Sequence, residues 1–368
     1  MARTVVGIND PKAVKRYGAS LAVDTPKESF FGQKMMGEGE PATLPIQRLT
    51  ELENDAGEQI TFDLSVQLKQ EPIEGDNVQE GTEEDLGFYT DAVYIDQMRC
   101  GANGGGRMTR KRTLHKLRDI AKKRMAEWWA RVFDEVLFIY LSGARGINAG
   151  FVLPTTWAGR ANNAITAPDS AHLMVQTKHT KATLVSTDKM DLTFIDRAIS
   201  NASTMGGGTQ GIPRIQPIKI NGETHYVCVL HPWQEFDLRT SATTGQWLDI
   251  QKAAATALGK ESPIFKGGLG MYNNVVLQKH ENIIRFSDYG AGANVLAARA
   301  LFLGVQAAVC AFGSPGTGLR FDWYEEARDN GNQVVISSSS IFGTKKVTFN
   351  GLDYGVIAMD TAAADPNA

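Results

Sequence analysis

A phosphate-binding loop is the first chemistry that the sequence could offer. Gly101 and Gly106 have the spacing of the loop whose backbone amides cradle nucleotide phosphates. That loop also needs Lys and then Ser or Thr after its last glycine, to reach the terminal phosphates and a magnesium ion. Arg107 and Met108 stand at those positions. We therefore interpret the segment as a glycine hinge, which gives no support to a kinase or ATPase activity.

Zinc-protease and serine-hydrolase motifs are also incomplete. The motif His-Glu-x-x-His places two zinc ligands on one helix face, but His280 and Glu281 are followed by Ile284 at the second histidine position. A nucleophile elbow needs Gly-x-Ser-x-Gly, and neither Ser20 nor Ser314 has glycines at both required offsets. The sequence predicts no catalytic residue of either class.

One enzymatic alternative remains, a site assembled from distant parts of the chain. Its candidates would be His225, His231, Asp249 and Glu281. His225 and His231 flank a predicted strand, and no cysteine or carboxylate cluster completes a metal site around them. We interpret both as structural histidines, and we predict no metal ion and no cofactor.

Composition indicates a globular protein. The 368 residues are 42% hydrophobic and 21% charged, and the net charge of -3 excludes a chain that acts as a polycation along its whole length. The sequence begins without the apolar stretch of a secretion signal, and the most apolar segment, 295–312, is interrupted by Arg299 and Gln306, so we expect no membrane span and a cytoplasmic protein. We expect free, buried thiols from the odd, widely spaced cysteines. These are Cys100, Cys228 and Cys310.

Two clusters of like charge are the strongest polar features. The acidic cluster lies in a predicted loop and contains seven acids and no base: Glu71, Glu74, Asp76, Glu80, Glu83, Glu84 and Asp85. The basic cluster contains nine bases against one acid, Asp119: Arg107, Arg110, Lys111, Arg112, Lys116, Arg118, Lys122, Lys123 and Arg124. A loop as long as the acidic one is uncommon unless it binds or moves, and self-repulsion should keep it extended.

Three interpretations of these clusters stay open. Complementary charges steer subunits into register, so the acidic tip could lie across the basic helix of a neighbouring copy. Lys and Arg also bind phosphates without reading sequence, so the basic cluster could contact DNA. Both clusters could instead be solvated polar faces.

The elements that position these clusters follow from periodicity. Strict alternation over residues 60–68 predicts a half-buried strand, and the β-rich run 88–98 predicts its partner in a long hairpin tipped by the acidic cluster. After the glycine hinge, a 3.6-residue period predicts one helix from Thr109 to Ser142, about 50 Å long. Residues 1–57 have no sustained period and are typical of an extended arm.

The rest of the chain indicates mixed helices and strands, and hence an α+β fold. A helix is predicted from Asp191 to Met205, begun by Thr187 or Asp188. Residues 217–230 predict a hairpin with a turn at Asn221 and Gly222. Further strands are predicted at 334–340, 345–349 and 354–359, and segment 295–312 as buried core.

Five segments carry a family resemblance: Leu114–Trp129, His231–Leu238, Trp247–Ala253, Pro263–Tyr272 and Phe321–Arg328. Their residues, for example Phe-Asp-Trp-Tyr-Glu-Glu-Ala-Arg in the last segment, look like those of the major capsid proteins of podoviruses related to phage N-four. The order of arm, acidic-tipped hairpin, long helix and mixed body resembles the Hong Kong 97-type capsid fold of tailed phages.

The resemblance implies a division of the chain. It consists of an N-terminal arm (1–57), an E-loop hairpin with its glycine hinge (58–106), a peripheral domain with a spine helix (107–185), an axial domain (186–320), and return strands of the peripheral domain with the C-terminus (321–368). Some relatives crosslink covalently through a hairpin lysine. The acidic tip here has no lysine and only Lys69 lies at its base, so that chemistry is not expected.

The resemblance also implies a function without turnover or cofactor. The subunit would assemble as hexamers and pentamers into an icosahedral shell around double-stranded phage DNA, in the host cytoplasm and then the virion. Its partners would be itself, scaffold, portal and cement proteins, and packaged DNA through non-specific contacts, with no membrane. Two alternatives are a nanocompartment shell that encloses a protein cargo and a nucleic-acid-binding protein that uses the basic helix.

Overall fold

The computed structural model describes residues 24–25, 28–38, 43–53, 57–65, 70–113, 117–205, 214–220, 222–241, 269–314 and 320–367. The helices are α1 (Phe30–Lys34), α2 (Arg107–Arg112), α3 (Leu117–Ser142), α4 (Leu192–Thr204) and α5 (Pro232–Ser241). The first strands are β1 (Met36–Glu38), β2 (Ile46–Leu49), β3 (Gln59–Ser65), β4 (Phe88–Tyr94), β5 (Asp96–Asn103), β6 (Gly159–Arg160), β7 (Asn163–Ala164), β8 (Leu173–Val175), β9 (Ile218–Ile220) and β10 (Glu223–Leu230). The remaining strands are β11 (Gly270–Tyr272), β12 (Val275–Lys279), β13 (Arg285–Tyr289), β14 (Val295–Leu303), β15 (Ala308–Gly313), β16 (Phe321–Arg328), β17 (Gln333–Lys346), β18 (Thr348–Phe349), β19 (Leu352–Asp353) and β20 (Val356–Ala362).

The long helix is broken near its start, which corrects the prediction of one helix from Thr109. α2 ends at Arg112, and Thr113 has extended backbone angles (φ −86°, ψ 139°). Bases in the last turn of α2 stabilise a helix end there, and a continued helix would bring further like charges to four-residue spacing. The predicted end at Ser142 is confirmed. With 26 residues, α3 is about 39 Å long rather than about 50 Å.

The first sheet packs against α3. Its strand order is β1-β2-β15-β17-β16, and β5 also pairs with β17. The indole of Trp129 donates to the Ser338 hydroxyl at 2.8 Å, which fixes the middle of α3 to β17. The Phe133 ring meets Phe342 edge-on at 4.5 Å between centroids. Burial of these aromatic rings provides much of the stabilisation of this layer.

The second sheet has the order β11-β12-β10-β14-β20-β8, and α4 packs on it through buried residues such as Phe194 and Ile195. The apolar segment 295–312 forms β14 and β15, which are consecutive in sequence but belong to different sheets. The prediction that this segment is buried core is confirmed, and the structure shows it as strands. Among the described residues, no helix is both long and apolar enough to span a membrane.

A buried ionic network joins α3 to the second sheet. The Arg299 guanidinium donates to Asp360 at 2.7 Å and to the Ser142 carbonyl at 2.7 Å. The Tyr289 hydroxyl donates to the same carboxylate at 2.6 Å. Arg299, which interrupts the apolar segment in the sequence, therefore satisfies a carbonyl at the end of α3.

Two local predictions need correction. Asp191, not Thr187 or Asp188, caps α4, because its carboxylate accepts from the Phe194 amide at 2.8 Å. The first residue of the predicted hinge segment is part of a strand, and the hinge itself stays a prediction. Gly101 lies within β5 opposite Ser337, so the ladder to β17 immobilises the first half of the glycine-rich segment. The hairpin of β9 and β10 is confirmed.

Candidate subunit-contact surface

The predicted hairpin is present, and its base is fixed to the first sheet. The predicted second strand, 88–98, is two strands rather than one, because the chain breaks at Ile95 and β5 pairs with β17 instead of β3. β3 and β4 pair antiparallel from Gln59 opposite Tyr94 to Ser65 opposite Phe88. The Asp91 carboxylate forms an ion pair with Lys345 on β17 and accepts a hydrogen bond from the Thr348 amide. Contacts of this kind anchor one end of the hairpin.

The opposite end, residues 70–87, contains no helix or strand and carries the acidic cluster. All seven predicted acids are exposed. Backbone amides of the loop donate to Glu83 and lower the pKa of its carboxyl, which favours the charged form. Large apolar side chains are exposed beside the acids, since Val78 is 74%, Leu86 64% and Phe88 61% exposed. We define residues 70–88 as the tip, which is both acidic and apolar.

The basic cluster is divided between α2 and α3, and part of it is neutralised within the chain. Arg118 pairs with Glu325 on β16, Lys122 pairs with Asp24 at 3.6 Å, and Arg124 pairs with its helix neighbour Glu127 at 2.5 Å. The first two of these contacts hold the start of α3 against the first sheet and against Asp24. Lys116 lies outside the described residues.

Four exposed members of the cluster form no ion pair with any described residue: Arg107, Lys111, Arg112 and Lys123. We call them the open cations. Arg110 donates to the Asn332 carbonyl at 3.0 Å and so supports the turn between β16 and β17. Met108 (62% exposed) and Ile120 (41% exposed) lie in the same stretch of chain. This surface, like the tip, combines charge with exposed apolar side chains, but of opposite sign.

Tip and basic cluster are not brought together within one chain. No ion pair joins them in the part of the chain that the structure describes. The contact between two copies, the contact with DNA and the solvated faces all stay predictions.

Sequence reasoning missed a buried acid that holds the arm. Asp134, in the middle of α3, accepts from the Ser29 hydroxyl at 2.8 Å and from the amides of Phe30 and Phe31 at 2.8 and 3.2 Å. These amides are at the start of α1, where helix donors lack internal partners. Burial outweighs these hydrogen bonds and raises the pKa of Asp134 to about 6.

Its neighbour Glu135 holds a different segment. The fully buried Glu135 carboxylate accepts from the amides of Val152 and Leu153 at 2.8 and 3.1 Å and pairs with Arg131 at 3.2 Å. The sequence signal for both contacts was the pair of acids, Asp134 and Glu135, inside the apolar run Val132–Leu141. Acids buried in such a run need hydrogen-bond donors from other segments. The sequence could not say which segments would supply them.

The candidates for a dispersed enzyme site do not form a recognisable constellation. His231 accepts from the Trp233 amide at 3.2 Å, and burial together with Arg285 lowers the pKa of its imidazole to about 4. His225 is fully buried, 3.6 Å from the carboxylate of Glu223 on the same strand, β10, and Glu281 is exposed. Asp249 lies outside the described residues. Across the described residues, no group of three or more His, Cys, Asp or Glu side chains could hold a metal ion.

Comparisons with known proteins agree on one family. The sequence profile described as phage capsid protein matches residues 5–365. The major capsid protein of Pseudomonas phage KPP25 is 26% identical over 345 residues, which cover 88% of this chain and 89% of that protein. The solved capsid of Ralstonia phage GP4 is 49% identical, with a TM-score of 0.87 and 100% coverage of both chains.

A more distant structure extends the likeness in fold. The capsid subunit of cyanophage Pam1 is 18% identical and has a TM-score of 0.67, with 89% of this chain and 91% of that chain covered. The α+β, Hong Kong 97-type fold is confirmed, while the narrower resemblance to podoviruses related to phage N-four stays a prediction. The chain belongs to the phage capsid protein family.

Proposed function

We propose that the chain is a structural subunit, not an enzyme, which assembles as hexamers and pentamers into an icosahedral shell around double-stranded phage DNA. The observation that carries this proposal is the tip. It exposes Val78, Leu86 and Phe88 at the end of an anchored hairpin, and exposed apolar clusters of this kind mark protein contacts. A surface that cannot be buried on its own chain suits the heterologous contacts of a closed shell.

The surface that the tip contacts is the open cations of a neighbouring copy. The seven acids of the tip match their charge, and Met108 and Ile120 provide apolar area for the tip's exposed side chains. Charge complementarity of this kind sets register and orientation more than affinity. The acidic cluster of one copy and the basic cluster of its neighbour therefore form the two halves of one interface.

The wider assignment follows the family. Residues 1–57 form the arm, 58–106 the E-loop, 107–185 and 321–368 the peripheral domain, and 186–320 the axial domain. Assembly takes place in the host cytoplasm with scaffold and portal proteins, and the product is the virion shell. A nanocompartment shell is the second candidate, and the nucleic acid content of purified particles separates the two.

Single charge reversals test the tip contact. Lys111→Glu and Lys123→Glu are each expected to lower the yield of particles in sedimentation, because they place an acid opposite the acidic tip. Lys219→Glu is the matched control, an exposed lysine in β9 outside both clusters. The double variant Lys111→Glu with Lys123→Glu should form particles again when the tip also carries Glu80→Lys and Asp85→Lys, because the opposite charges are then restored with their positions exchanged. Normal particles that lose only DNA would show instead that the basic cluster contacts DNA.

A further inference from the structure

A groove that the function above does not use lies at the edge of the second sheet. It has a volume of about 730 Å³ and is bounded by β8, by the loop that follows β8, and by the last turns of α4. β8 pairs only with β20 among the described strands, so the groove runs along an outer strand. Its lining comprises Ser170, Ala171, Leu173, Met174, Val175, Lys178, His179, Thr180, Lys181, Arg197, Ser200, Asn201 and Thr204.

The loop after β8 is held in a strained shape. Thr177 and Lys178 have positive φ angles of 57° and 59°, which side-chain-bearing residues rarely adopt. Asp188 fixes this shape, because its carboxylate accepts from the Thr177 hydroxyl at 3.0 Å and from the Val185 amide at 2.9 Å, and contacts His179 Nδ1 at 2.6 Å. The strained turn sets Lys178 in the lining of the groove.

The charge of the groove is positive. Lys178 and Arg197 form no ion pair with any described residue, and the guanidinium of Arg197 lies 5.4 Å from the centre of the Phe194 ring. Lys181 pairs with Asp288 at 2.6 Å, with both side chains more than half exposed. None of the lining residues is a carboxylate.

The other polar lining residues have the chemistry that contacts phosphate. Hydroxyl, amide and cationic side chains make up eight of the thirteen lining residues, and these are the side chains that position nucleic-acid backbones. The Thr204 hydroxyl donates to the Ser200 carbonyl at 2.9 Å and so covers part of the negative end of α4. We propose that this groove binds the phosphate backbone of nucleic acid, which in the assembled shell is the packaged double-stranded DNA.

The choice of DNA rests on the proposed function, whereas the phosphate chemistry rests on the groove alone. An acidic segment of a second copy is the rival occupant. The tip is the acidic segment described here, and its exposed Val78, Leu86 and Phe88 require an apolar partner surface. The groove, with its majority of polar side chains, fits a polyanion better than it fits the tip.

The first test measures binding to a fluorescein-labelled 20-base-pair duplex by the full-length, unassembled subunit at a series of salt concentrations. Lys178→Ala with Arg197→Ala should reduce the slope of log K against log salt by about 1.8, since each neutralised phosphate contributes about 0.9. Lys219→Ala with Arg328→Ala removes one exposed lysine and one exposed arginine elsewhere and should leave the slope unchanged. Equal slopes for the two double variants would overturn the proposal.

The second test does not depend on affinity. A photo-crosslinking amino acid replaces Thr204 in particles that contain DNA, and the crosslinked partner is identified after irradiation. A crosslink to DNA supports the proposal, while a crosslink to a second copy, or to neither, overturns it. Particles that form normally but give no DNA crosslink would leave the proposed shell function intact, whereas wild-type protein without particles would contradict that function itself.

Discussion

The Asp134 carboxylate accepts a hydrogen bond of 2.8 Å from the Ser29 hydroxyl, across 105 positions of sequence. The contact joins the arm to the middle of α3, and the amides of Phe30 and Phe31 complete it. Phe31 is fully buried and its ring lies 4.6 Å from that of Phe138. Residues 29–35, which the sequence predicted as part of an extended arm, are thus part of the subunit core.

Removal of the Asp134 carboxylate should release this part of the arm. Asp134→Ala leaves buried donors at Ser29, Phe30 and Phe31 without an acceptor, at a cost of about 1–3 kcal/mol for each unsatisfied group. Trypsin should then cleave after Lys34 at least several-fold faster than in wild type, as followed by mass spectrometry. Asp119→Ala, an exposed acid on the same helix, is the control. Equal cleavage rates in all three proteins would refute the anchoring role.

The same carboxylate should make stability depend on pH. Burial raises the pKa of Asp134 from 3.8 to about 6, so the folded state holds the proton more tightly than the unfolded state. The stabilising contribution of Asp134 is fully present below pH 3.8. As the pH rises through about 6 this contribution is lost, which lowers the free energy of unfolding by a total of about 3 kcal/mol. Asp134→Asn stays neutral, so its urea midpoint relative to wild type should rise between pH 4 and pH 7.

The difference between the urea midpoints of Asp134→Asn and wild type separates the effect of Asp134 from that of other groups that titrate in this pH range. Burial and Lys34 lower the pKa of His280, which stacks on Phe138 and contacts Phe30, to about 4, and this imidazole affects both proteins alike. A difference between the two midpoints that is constant from pH 4 to pH 7 would show that Asp134 does not titrate there.

Local sequence patterns were sufficient to predict the helices and strands that are buried on one side only. The alternation from Ile60 predicted β3, and the three-residue and four-residue steps predicted α3 to its last residue, Ser142. The break at Thr113 was missed because apolar periodicity does not report the repulsion between bases in α2 and those that follow. The cap at Asp191 was missed because several acids near that position could serve equally well from sequence alone.

The ionic network at the end of α3 gives a third prediction. Asp360→Ala should leave the buried Arg299 guanidinium without its counter-charge and destabilise the subunit by about 3–5 kcal/mol. Arg299→Met combined with Asp360→Ala should be less damaging than Asp360→Ala alone, because no uncompensated charge remains. Urea denaturation of wild type, Asp360→Ala, Arg299→Met and the double variant measures both effects. Losses that simply add would show that the two side chains are not coupled.

The apolar part of the tip gives a fourth prediction. Leu86→Ser and Phe88→Ser change side chains that are 64% and 61% exposed, so the free energy of unfolding of the unassembled subunit should change by less than about 0.5 kcal/mol. Particle yield should nevertheless fall, because these side chains become buried only between subunits. An unchanged particle yield would show that the apolar side chains of the tip are not part of the subunit interface.

The candidate interface was only partly readable in the sequence. Charge counting identified both clusters, but it could not show that Arg118 is already paired with Glu325, a residue more than 200 positions away, or that Arg110 supports a turn at Asn332. Long-range contacts of this kind depend on which strands become neighbours, and local patterns do not encode that. The open cations can be identified only when the bases that pair with carboxylates of the same chain are known.

Assembly of the purified chain is the most direct test of the central claim. Sedimentation velocity at rising protein concentration, with scaffold protein present and absent, is followed by electron microscopy of the fast fraction. The shell function predicts closed particles with hexameric and pentameric capsomers. A chain that remains at its monomer mass of 40.1 kDa under every condition would contradict it.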